Sequence, residues 1–191
     1  MRVDAARNLE AVLTTGAYMF AADPSVSIAS IAAVAGVDRR TVYRQFASRE
    51  ELLEAIYEAR LLAVSRGIED ARLSEAPVVV ALHRYVENLV AVNRVWPVDV
   101  ARMLANANEE VRQDWDSLAA EVDAFLQRAV DEGLLRSGLP EGWARVLLTE
   151  LVQLVARQRP ELNRGQAADV VVDTLLYGIG APRERSGGLV G

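Results

Sequence analysis

From Val3 to Gly178 the apolar residues return at steps of three and four, and no stretch sustains the two-residue alternation of a half-buried strand. A chain with that period buries its apolar side chains by packing helix on helix, so the sequence predicts an all-α fold. The run VVVAL at 78–82 is the best candidate for a strand. It follows Pro77, a favoured first-turn residue, and continues into HRYVENLVAV with helical spacing, so it reads as helix. Breakers divide the chain into about nine helices. The first runs from about 3 to 22, buries Ala6, Leu9, Leu13, Ala17 and Phe20, and ends at Asp23-Pro24, because the residue before a proline is pushed out of the helical region. The second, 28–35, has Ser27 as N-cap and Ile28, Ile31, Ala32 and Ala35 on its inner face. Gly36 follows, where left-handed backbone costs least. The third starts after Asp38, a good N-cap, and ends near Gln45; the fourth opens on a capping box, Ser48-x-x-Glu51. Five more are expected at about 77–94, 98–106, 109–132, 141–158 and 164–178, with a short Gly-rich tail at 182–191 expected to be disordered.

At 191 residues and 51% apolar the chain can bury a sizeable core. No apolar run approaches the roughly 18 residues of a membrane span, and the first apolar stretch carries acids and no cleavage site. A cytoplasmic location without membrane attachment is expected. The absence of cysteine removes disulfides and thiolate sites, and one histidine, His83, leaves too few imidazoles for a typical zinc site, so no metal and no cofactor is expected. The acids Glu109, Glu110, Asp114 and Asp116 sit at a helix start, where complementing the dipole accounts for them. No Gly-rich phosphate loop, nucleophile elbow or usable acid–base pair appears, so no catalytic residue and no enzyme activity is expected. The net charge of −6 argues against non-specific coating of nucleic acid. Distribution matters more than the total. Lysine is absent, and between Gly36 and Arg49 lie Arg39, Arg40, Arg44 and Arg49 against the single acid Asp38.

That window, Ser27 to Arg49, holds two short helices separated by Gly36-Val37-Asp38, the dimensions of a helix-turn-helix. In such a unit the first helix braces the second, which enters the DNA major groove. Val42 and Phe46, four apart, are expected to face inward against Ile31, Val34 and Leu52, turning Arg39, Arg40, Tyr43 and Arg44 outward. Arginine reaches guanine O6 and N7, and the hydroxyls of Thr41 and Tyr43 suit phosphates. Arg49, at a helix start, places a cation and backbone N–H groups where a phosphate could sit.

Residues 7–57 resemble the DNA-binding domain of the TetR family of one-component repressors. The resemblance rests on Arg7 and the helix-1 stripe with Phe20, then Ser27-x-x-x-Ile31-Ala32-x-x-Ala35-Gly36-Val37, then Thr41-Val42-Tyr43-x-x-Phe46 and Ser48-Arg49-Glu50-x-Leu52-Leu53. It implies that Ser27 contacts phosphate, that Arg39, Arg40 and Arg44 face the groove, that Thr41 and Tyr43 bind the backbone, and that Arg49 replaces the family's usual phosphate-binding lysine. Three residues depart from the pattern. Arg40 stands where a small residue is usual, Asp38 replaces a Ser/Thr cap, and Ala29 has no polar reach.

The resemblance implies a DNA-binding domain at 1–48, a linking helix at 49–72, and an effector-binding and dimerisation domain over 49–181. It implies a homodimer through the apolar helices at about 141–158 and 164–178, operator DNA as partner, and repression relieved by a small apolar or amphipathic effector. Trp96, Met103 and Trp115 fall where the family builds its cavity, although such side chains equally suit a packed core. The rival class is a helical small-molecule-binding dimer that never touches DNA.

Overall fold

The computed structural model describes residues 2–179, and the tail at 182–191 lies outside them. The described residues form α1 (Arg2–Ala22), α2 (Ile28–Ala35), α3 (Arg39–Gln45), α4 (Arg49–Ala71), α5 (Val78–Val95), α6 (Val100–Asn106), α7 (Glu109–Asp131), α8 (Trp143–Gln158) and α9 (Arg164–Ile179), with no strand among them. None of these helices is long and apolar enough to cross a membrane. The all-α expectation holds, and every helix lies within two residues of its expected bounds. The late start of α8 has a local cause, since Gly142 adopts a left-handed φ of 69° immediately before it.

The chain forms two compact units, the first from the residues up to Gly67 together with Ala91–Leu118, the second from Ile68–Val90 and the residues from Ala119 onward. In the first unit α1 packs on α2 and α2 on α3. Their core joins Val12, Leu13, Ala17 and Phe20 of α1 to Ile28, Ile31 and Ala32 of α2, Val42 and Phe46 at α3, and Leu52 and Ile56 of α4. Met103, Ala107 and Val111 belong to the same cluster. Gly16 lies where α1 meets α4, and a Cβ there would stand 3.0 Å from the Ile56 Cδ1, so that the Ile56 side chain would have to give way slightly. Ile31, Leu52 and Ile56 are fully enclosed, each contributing about 1.5–3 kcal/mol by burial. Two expected core positions are corrected. Ala6 is exposed, and Val12 closes the α1 stripe in its stead. Val34, expected against Val42 and Phe46, is 67% exposed. On α2 the buried face centres on Ile28, Ile31 and Ala32, and Val34 lies about a third of a turn away from it.

In the second unit α8 packs on α9. Leu148, Val152 and Val155 of α8 and Ala168, Val171 and Leu175 of α9 are buried. Polar ties hold the other helices in register. The Arg145 Nε donates to both carboxylate oxygens of Asp123 at 2.9 and 3.0 Å. Arg128 donates to the carbonyls of Ser74 and Ala76 and so closes the turn after α4. His83 on α5 pairs with Asp169 on α9 at 2.8 Å.

Candidate nucleic-acid interface

The segment from Ser27 to Phe46 is a helix-turn-helix whose ends are all closed by its own residues. Ser27 lies extended before α2, and its Oγ accepts from the Ser30 N–H at 3.1 Å. At the other end Gly36 takes φ 68°, ψ 26°, a left-handed conformation that lets the N–H groups of Gly36 and Val37 return to the carbonyls of Ala33 and Ala32. Asp38 then caps α3, its Oδ1 accepting from the N–H groups of Arg40 at 2.9 Å and Thr41 at 3.3 Å. The acid that replaces a Ser/Thr cap is thus absorbed in the helix start, where negative charge complements the dipole.

With these ends fixed, the face of α3 follows from its pitch. Val42 and Phe46 are buried, so at about 100° per residue Arg40 and Arg44 stand on the opposite, exposed side. Arg39 and Tyr43 share one flank, the guanidinium lying 5.1 Å from the ring centroid. Thr41 and Gln45 share the other flank. Together with Arg44 they border a shallow cleft of about 350 Å³ whose opposite wall is Ala5, Asn8 and Val12 of α1. The expected set therefore divides into a central pair, Arg40 and Arg44, and two flanks. Asn8 and Gln45 extend the polar rim and did not emerge from the sequence. Gln45 could have, because it lies one turn beyond Thr41.

At the start of α4 the Ser48 Oγ accepts from the Glu51 N–H at 3.1 Å, while the Glu51 Oε2 accepts from Ala47 at 2.8 Å. The capping box forms, with its return bond one residue earlier than usual. Arg49 is half-buried. Its guanidinium lies 4.9 Å from the centroid of the Phe20 ring and donates to the Pro24 carbonyl. That carbonyl belongs to the α1–α2 corner, where the Asp23 Oδ1 accepts from the backbone N–H of Ser25 at 2.8 Å and from its hydroxyl at 2.7 Å. These bonds, helped by the Arg49 charge, hold the Asp23 carboxyl below its ordinary pKa.

The three candidate effector residues lie together in the first unit. Met103 is fully buried in its core, and Trp96 and Trp115 are partly buried against the same cluster. Among the described residues no group of three His, Asp or Glu side chains could hold a metal ion.

Residues 24–56 match the sequence profile of the bacterial regulatory proteins of the tetR family. Over 174 residues the chain is 29% identical to the HTH-type transcriptional repressor LfrR of Mycolicibacterium smegmatis, covering 91% of this chain and 90% of that protein. The crystal structure of the TetR-like regulator LfrR from Mycobacterium smegmatis in complex with proflavine is similar with a TM-score of 0.71 and 28% identity, over 91% of this chain and 96% of that one. A regulatory protein in the tetR family from Rhodococcus shares the fold with a TM-score of 0.72 at 18% identity, over 92% of this chain and 98% of that one.

Proposed function

The chain belongs to the TetR family of bacterial regulatory proteins and is a DNA-binding transcriptional regulator, and from that premise we propose that it acts as a repressor released from its operator by a small ligand. The observation that carries the DNA assignment is the placing of Arg40 and Arg44 opposite the buried Val42–Phe46 pair on a helix capped at both ends. In our reading Arg40 and Arg44 donate to base edges in the major groove. Tyr43, with Arg39 stacked on it, serves the phosphates on one side and Thr41 those on the other. Ser27 and Arg49 frame the backbone site at the starts of α2 and α4. The DNA-binding portion is 1–48, α4 links it onward over 49–72, and the effector-binding and dimerisation portion covers 49–181.

A single head with so few contacts binds weakly, so the reading includes a homodimer through α8 and α9. Both helices support it. Trp143, Val146 and Leu154 on α8 and Val170 and Tyr177 on α9 leave apolar surface open beside a buried face. The effector is an apolar or amphipathic small molecule approached by Trp96, Met103 and Trp115, and proflavine, held by LfrR, is the natural first probe. Its binding weakens operator affinity by favouring a dimer whose recognition helices no longer match successive major grooves, about 34–36 Å apart.

The test is fluorescence anisotropy of a duplex taken from the DNA upstream of the protein's own gene, titrated with protein and then with proflavine. Saturable, salt-sensitive binding reversed by the dye is expected. Binding that the dye leaves intact would refute this class of effector, and no binding at any salt would refute the operator.

A further inference from the structure

We propose that Arg49 is a positioning residue, a strut between the α1–α2 corner and the start of α4 that sets the spacing of Ser27 from the first turn of α4, and that it is not itself a phosphate ligand. The inference rests on the reading of this head as DNA-binding and changes the role of one member of its contact set.

Three observations carry it. The flat face of the guanidinium is occupied by Phe20, a residue only 7% exposed, so the ring is itself anchored in the core. One terminal nitrogen donates to the Pro24 carbonyl, three residues before the N-cap Ser27. The Nε is shut away from solvent without a hydrogen-bond partner. An arginine grips a phosphate oxygen pair through two adjacent N–H groups lying in one plane. With the Nε enclosed and Nη2 engaged, the side-on fork of these two nitrogens is closed to a phosphate, and only the end of the guanidinium at Nη1 keeps its donors. What the side chain does instead is join three pieces of backbone: the end of α1 through Phe20, the corner through Pro24, and α4 through its own Cα.

The corner has little else to hold it. Asp23, Pro24 and Ser25 are exposed, and apart from the bond from Arg49 the hydrogen bonds of Asp23 and Ser25 run to each other, to Met19 and to Val26. Without the strut, Ser27 and the N–H groups of α2 that follow it can drift relative to α4, although both must meet the DNA backbone at once. Lysine is absent from the whole chain, so arginine at 49 is not a local choice, but its shape suits the place. A planar guanidinium can stack on a ring and donate in its own plane together, whereas an ammonium has no plane to do both. The Asp23 carboxyl, whose lowered pKa owes part of its shift to the Arg49 charge, reports on the strut without any DNA present.

The experiment measures operator affinity of the full chain at several salt concentrations for wild type, Arg49→Gln and Arg49→Lys, with thermal melts as a folding check. Asp23 is followed in the free proteins by carboxylate NMR titration. The strut predicts that Arg49→Gln weakens binding about tenfold, the weight of a charge-assisted hydrogen bond, with an unchanged slope of log affinity against log salt. It predicts that Arg49→Lys, which keeps the charge, does not restore affinity, and that Arg49→Gln raises the Asp23 pKa. A slope reduced by about one for each lost phosphate contact, with affinity and slope restored by Arg49→Lys, would overturn it. If Arg49→Gln melts too low for binding to be measured, the Arg49→Lys affinity and slope decide. A wild-type protein that ignores the duplex would instead overturn the DNA-binding reading on which the strut rests.

Discussion

Arg40 and Asp38 stand two residues apart and put their charges to opposite uses. The Asp38 carboxylate is spent on two N–H groups of its own helix, one of them Arg40's, which leaves the Arg40 guanidinium as the exposed charge at the centre of the α3 face. Arg40→Ala is expected to cost about 1–3 kcal/mol per half-site on the operator, and to relax preference at one base position while binding to random DNA changes little. Tyr43→Phe removes the hydroxyl proposed to donate to a phosphate but keeps the ring on which Arg39 lies, so a loss of about 0.5–1.5 kcal/mol on operator and random DNA alike is expected. Titrating each variant against both duplexes separates the two. An operator-to-random ratio left unchanged by Arg40→Ala would mean that Arg40 reads no base.

At the scale of the element, the recognition helix has only 7 residues, too short to hold itself together. It depends on its caps and on the two buried side chains beneath it. Asp38→Ala should therefore cost about 1 kcal/mol in a urea or thermal melt. It should also lower operator affinity, because the first turn carrying Arg39 and Arg40 frays. This element was legible in the sequence for a physical reason. Ser27, Gly36, Asp38 and the Val42–Phe46 pair are local signals, each decided within four residues of itself. Val34 was not legible, because a three-residue step from Ile31 fits either edge of a helical face, and only the neighbours decide which edge is covered. The partners of Arg49 were not legible either. Phe20 and Pro24 lie more than twenty residues away, and no periodicity connects a helix start to the ring and carbonyl it leans on. Trp96, Met103 and Trp115 show the same limit. Large adaptable side chains announce burial, and the sequence does not say whether a ligand or more protein lies against them.

At the scale of the whole molecule, a net charge of −6 sets the conditions under which the protein can meet DNA. Long-range repulsion opposes encounter and keeps non-specific binding weak, while local contacts of arginines with phosphates release counterions, so operator affinity should fall with salt. In the proposed dimer two heads acting together would offset that weakness. Leu154, 51% exposed on α8, and Tyr177, 72% exposed on α9, lie on the surfaces assigned to the dimer. Sedimentation should give a dimer at micromolar concentration, and Leu154→Arg should shift it to a monomer that keeps its helical content but loses most of its operator affinity. A wild-type monomer, or a Leu154→Arg dimer with full affinity, would remove α8 from the interface. The most direct measurement of the central claim is a nuclease footprint of the wild-type protein on the DNA upstream of its own gene. A protected, two-fold related site with half-sites one helical turn or a multiple of it apart, lost as salt rises, is expected. Folded protein that protects no such site at any salt concentration would contradict that claim.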